Sequence, residues 1–187
     1  MNSSRALLLS LAVLAFSVAC IIFVGGPEYP QHPIPFSPEA VLQMENQLQR
    51  AVQAGATTGE ITLEIDEVQL TSYLTYKLLS TPSPLFTEPQ VYLRDNAVTI
   101  YGKARRGYFE ANIRIVLNVG QDENGRPSLQ IAAADFGPFP LPEDLNKAIT
   151  AIIEEAYLGS LGPVATGFRI QSITIANGIL TISGRTR

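Results

Sequence analysis

The side chains that most often do chemistry are scarce in this sequence and do not converge. There is one histidine, His32, and one cysteine, Cys20. A metal or catalytic cluster built on several histidines and an internal disulfide framework are therefore excluded within one copy of the chain. His32 sits among prolines with no partner of complementary chemistry beside it. Adjacent acids occur as Asp66-Glu67, Asp122-Glu123, Glu143-Asp144 and Glu154-Glu155, the raw material of a general acid and base. Each pair has a plainer use. The first and third fall in first turns of predicted helices, the second in a hairpin loop, and the fourth on the polar face of a helix. Asp122-Glu123-Asn124-Gly125 has the start of a calcium loop but no downstream glutamate at the required spacing. Ser160 has Leu158 two places before it, where a nucleophile elbow needs glycine. No phosphate loop, dinucleotide fingerprint or metal-ligand spacing is present, so the expectation is a protein without catalysis, cofactor or metal.

What remains is one basic cluster and a large amount of apolar surface. Lys103, Arg105 and Arg106, with Arg94 and Arg114 nearby across a sheet, read in two ways: a solvated strand edge that deters aggregation, or a contact for anionic lipid headgroups. Leu117, Ile131, Phe136, Ile149, Ile152 and Ile153 are candidates to line a groove between a helix and a sheet, deep enough for an acyl chain. The same side chains would also fill a closed core.

These residues must be positioned by a chain of 187 residues, 46% apolar and only 16% charged, with a net charge of −4 and 13 prolines and 14 glycines. That composition fits one ordinary domain with many turns and argues against disorder and against nucleic acid as a partner. Ala6 to Val24 carries no charge and is long enough, as a helix of roughly 28 Å, to cross a bilayer. Arg5 is the only Lys or Arg before Arg50, so the expected orientation is single-pass, with the N-terminus cytoplasmic and the rest extracytoplasmic at a bacterial plasma membrane. A cleaved signal peptide, or a lipidated Cys20 after Ser17-Val18-Ala19, are the alternatives. The expected organisation is an anchor over 1–24, a proline-rich stalk over 25–37, and a folded domain over 38–187.

Within that domain, Ser37 and Pro38 open a helix expected to end at Gly55. Gly59 to Ile65 alternates as a half-buried strand. Asp66, with Gln69 three residues on, is a capping box for a second helix bearing Leu70, Tyr73, Leu74 and Leu78. Strands follow over Val91–Arg94, Ala97–Arg106, Tyr108–Val119 and Ser128–Phe136. Phe109, Ala111, Ile113, Ile115, Leu117 and Val119 share one face of the third of these. A third helix is expected after Pro142, and a hairpin turning at Asn177-Gly178 closes the chain. The fold class is α+β: an N-terminal transmembrane helix, then a curved antiparallel sheet wrapped around two or three helices.

The order of four motifs resembles the membrane-anchored bacterial proteins of the YpmS type and the LmeA-like lipid-binding proteins. The motifs are Asp66-Glu67-Val68-Gln69-Leu70 opening a helix, Val91-Tyr92-Leu93-Arg94-Asp95-Asn96-Ala97-Val98, Phe136-Gly137-Pro138-Phe139-Pro140-Leu141-Pro142, and Ile173-Thr174-Ile175-Ala176-Asn177-Gly178. The resemblance implies half of a tubular lipid-binding fold, and a role in binding phospholipid or another amphiphile in the cell envelope. It implies no catalytic residues. Two functions are therefore expected in order: an amphiphile-binding protein at the membrane, with Lys103, Arg105 and Arg106 at the headgroup, or a protein-interaction module of an envelope complex using an exposed sheet edge.

Overall fold

A computed structural model describes residues 21–121, 127–142 and 168–186. In chain order these form β1 (Ile22–Phe23), α1 (Pro38–Thr58), β2 (Glu60–Asp66), α2 (Glu67–Leu79), β3 (Thr87–Arg94), β4 (Ala97–Arg106), β5 (Phe109–Gln121), β6 (Pro127–Asp135), β7 (Phe168–Ala176) and β8 (Ile179–Thr186).

The helices begin where their caps dictate. Ser37 Oγ accepts from Ala40 N at 3.1 Å with Pro38 in the first turn. Asp66 Oδ1 accepts from Gln69 N at 2.8 Å while Gln69 Oε1 accepts from Asp66 N at 3.0 Å, both halves of the box. α1 runs past the expected stop at Gly55, which is buried within the helix. It ends at Gly59, whose φ of 78° provides the left-handed closing residue and whose N–H donates back to Gly55 O.

The α+β class and the curled antiparallel sheet are as expected, and the strands hydrogen-bond in two sets. One has the order β1-β5-β4-β3 with β6 also on β5, and the other the order β2-β8-β7. All pairings are antiparallel except β1 with β5. Each sheet turns one apolar face inward. On the larger sheet that face carries Val91, Leu93, Val98, Ile100, Ile113, Ile115 and Leu117. On the smaller it carries Ile173, Ile175 and Leu180, and these join Leu74 of α2, Phe86 and Phe136 in one core. Met44 and Leu48 of α1 cover Ile61, Leu63 and Ile65 of β2 in a second cluster. The opposite face of the smaller sheet, with Glu64, Ser172 and Thr174, is exposed. Alternation with period two sets which residues go inside.

The N-terminal transmembrane helix expected in the fold class is not supported. Among the described residues no helix is long and apolar enough to cross a membrane. Residues 1–20 of the expected span lie outside the described residues, and its last four, Ile21 to Val24, are extended rather than helical. Ile22 N donates to Tyr108 O at 2.8 Å and Val24 N to Glu110 O at 2.9 Å. The physical reason lies in β5. β6 pairs with it only from Gln121 back to Arg114, which leaves its first residues with unpaired backbone groups on that side, and β1 satisfies them. β-branched Ile21, Ile22 and Val24 suit an extended backbone.

The proline-rich segment is likewise docked rather than projecting as a stalk. It crosses the outer face of the larger sheet from β5 toward α2. Asn112 N donates to Gly25 O at 2.9 Å and Asn112 Nδ2 to Pro27 O at 3.1 Å. Tyr29 Oη donates to Glu88 O at 2.8 Å, and Tyr92 Oη to His32 O at 3.1 Å. Gln90, buried, takes both polar groups of Ile34: Oε1 accepts from its N–H and Nε2 donates to its carbonyl. Ser37 N then reaches Ser72 Oγ at 3.0 Å. The prolines remove donors that a docked segment without strand pairing would otherwise leave unpaired.

Candidate functional site

The candidate groove residues divide between the described and undescribed parts of the chain. Leu117 and Ile131 are register partners across β5 and β6 and so share the inner face. Leu117 and Phe136 are buried in the core, and Ile131 packs against it half-buried. Ile149, Ile152 and Ile153 lie outside the described residues, as do the predicted third helix, Ser160, and the acidic pairs at 122–123, 143–144 and 154–155.

Three of the six candidates are thus brought together. Around them the apolar surface is graded. Leu93, Ile113 and Ile115 are essentially closed to solvent, whereas Val119, Ile131, Ala134, Phe139 and Ile170 pack on the same cluster only half-buried. Those five belong to β5, β6, β7 and the segment after β6 and make up one flank of the core, while Leu70, Leu78, Leu85 and Ile182 are half-buried on the same cluster elsewhere. There Phe139 N donates to Phe136 O at 3.2 Å, fixing a turn in the Phe136 to Pro142 segment. At its start, a Cβ on Gly137 would lie 2.7 Å from Gly26 Cα. Both glycines have positive φ, so two backbones meet here at a distance that no larger residue permits.

The basic candidates are not part of this flank. Strand parity puts Lys103 and Arg105 on the outer face of the larger sheet, opposite Leu117 and Ile131. Lys103 Nζ pairs with Glu88 Oε2 at 2.7 Å and lies 5.7 Å from the centre of the Tyr29 ring. Arg105 pairs with Glu110 at 2.9 Å. Both therefore hold surface structure together rather than face an acyl chain on the inner side. Arg106 is exposed at the strand end and has no ion-pair partner among the described residues. Arg94 bonds Glu67, whose Oε1 also accepts from Leu93 N at 2.8 Å.

That contact bears on the sheet edges. β3 is an edge strand, but its outward donors are taken: Val91 N by Thr71 Oγ1 at 3.0 Å and Leu93 N by Glu67. Helix α2 thus closes the β3 edge to another strand. Asp66 and Glu67 are spent on a cap and an ion pair.

Burial, with the Glu88 and Tyr92 charges nearby, pushes the Tyr29 phenol up to about 12, and burial followed by Glu67 raises that of Tyr92. Both belong to the docked segment's contacts. Among the described residues no three His, Cys, Asp or Glu side chains are grouped to hold a metal ion.

Sequence reasoning missed a second feature. Ile21, Ile22, Phe23, Tyr108 and Phe109 are all exposed, between 47% and 62%. Phe109 has the inward parity expected of it, yet it lies one row beyond the covered core. The signal available was Tyr108-Phe109 directly after Gly107, two adjacent aromatics at a turn. No protein-family model matches the chain, and no curated protein sequence matches it.

Proposed function

We propose that this protein binds an amphiphile without catalysing a reaction on it, holding the apolar part of the ligand against the flank formed by Ile131, Ala134, Phe139 and Ile170. One observation carries the reading: a continuous inner apolar surface that is closed at Leu93, Ile113 and Ile115 but left half-covered at these residues. Apolar clefts with few polar groups suit acyl chains because burial of each methylene contributes about 0.8 kcal/mol without a partner to orient. The resemblance of the motif order to the LmeA-like proteins is consistent with the same ligand class and with a setting in the bacterial cell envelope. Among the described residues, Glu67, Asp66, Lys103 and Arg105 are all engaged in structural contacts, which favours this surface as the recognising feature.

Native mass spectrometry of the full chain, released from detergent and followed by solvent extraction, tests this. The expected result is a stoichiometric lipid adduct that survives removal of the detergent and is lost in an Ile131→Asp, Phe139→Asp variant that still folds by circular dichroism. A bare mass after incubation with phosphatidylglycerol and phosphatidylethanolamine would overturn it.

A further inference from the structure

The exposed apolar residues at the β1 end of the larger sheet form a second feature, independent of the amphiphile flank. Ile22 is the register partner of Phe109, and Phe109 of Arg106, so the three lie in a row on one face. Phe23 is the partner of Glu110, and Glu110 of Arg105, so that row lies on the other. Tyr108, 62% exposed, stands at the turn between β4 and β5. Hydrogen bonds from Ile22 N to Tyr108 O and from Val24 N to Glu110 O hold the backbone in place, so these side chains are presented by a fixed sheet end.

We propose that this sheet end docks on an anionic bilayer surface, with Ile22, Phe23, Tyr108 and Phe109 entering the interface and Arg106 meeting lipid phosphates. Three observations select a lipid surface over a protein. Large apolar side chains project from both faces of the same sheet end, which a fluid interface covers at once and one flat protein surface does not. Tyr108 has an apolar body with a polar tip, and it neighbours a guanidinium that has no ion-pair partner among the described residues. That combination suits the headgroup layer. The sequence leading into Ile21, from Ala6 to Cys20, contains no charged residue, so the chain enters the fold at this end through uniformly uncharged sequence.

The chain has no tryptophan, and Phe109→Trp in the full-length protein gives a single emitter at the proposed contact. With vesicles of phosphatidylcholine containing phosphatidylglycerol, the expected result is a blue shift and quenching by lipids brominated on their acyl chains. Leu79→Trp, at an exposed helix end outside the patch, is expected to stay open to aqueous acrylamide. Adding Arg106→Glu to Phe109→Trp should raise severalfold the amount of anionic vesicle needed, with no change for phosphatidylcholine alone. An indole at 109 that stays water-accessible with both vesicles overturns the proposal, as does an equal blue shift at 79. If Phe109→Trp fails to fold, Tyr108→Trp serves the same reading. The flank variant Ile131→Asp, Phe139→Asp should leave this signal intact, so failure of either proposal is visible without the other.

Discussion

Gln90 shows how much of this molecule depends on single polar side chains placed under apolar cover. It is buried, and it satisfies the N–H and the carbonyl of Ile34 together. Gln90→Leu preserves bulk but leaves both groups unpaired, and is expected to cost about 2 kcal/mol, measured as a lower midpoint in urea. Tyr29 gives a pH-dependent counterpart. The unfolded chain loses the phenolic proton near 10, whereas the folded protein holds it to about 12. Between those values the unfolded state binds fewer protons, so this contribution to stability is complete below pH 10 and is lost as pH rises toward 12. Tyr29→Phe should flatten that part of the pH profile relative to the parent, with tyrosinate absorbance reporting the titration directly. Neither residue's partner was legible in the sequence, because Glu88 and Ile34 are reached through tertiary docking and leave no periodic trace.

At the scale of elements, local chemistry is what the sequence carries well. Ala97–Arg106 has the bounds expected of it, and the Asp66–Gln69 box forms as its spacing requires. Asp66→Ala should therefore cost about 1 kcal/mol by removing the cap, read as a loss of helicity and of the thermal midpoint. The failures arise where partners are distant. A short apolar run such as Ile21 to Val24 has no period that separates helix from strand; the open backbone of β5 decides it. The prolines of residues 27–38 announce an extended segment but not the surface on which it lies. That surface includes Asn112, and the φ of +114° at Gly26 allows the approach, because a Cβ there would strike the Asn112 carbonyl. Gly26→Val should cost about 2 kcal/mol and raise protease sensitivity over residues 27–34 before the domain itself unfolds.

For the whole molecule, the inner apolar faces of the two sheets were readable as a set, since Leu117, Ile131 and Phe136 all reach them. Their degree of closure was not, because periodicity identifies a buried face without saying what covers it. The placement of the basic side chains was lost for a simpler reason. Lys103 and Arg105 have the parity opposite to the inward-facing Ala104, and only the register across β3, β4 and β5 shows that Glu88 and Glu110 pair with them. The central claim is that an acyl chain occupies the half-covered flank. Its most direct test is photo-crosslinking of the full-length protein with a phospholipid carrying a diazirine on its acyl chain, with adducts mapped by peptide mass spectrometry. Adducts concentrated on β6, on residues 136–142 and on the start of β7 are the predicted result. Labelling restricted to residues 1–24 and the 108–109 turn, with none on the flank, would contradict it.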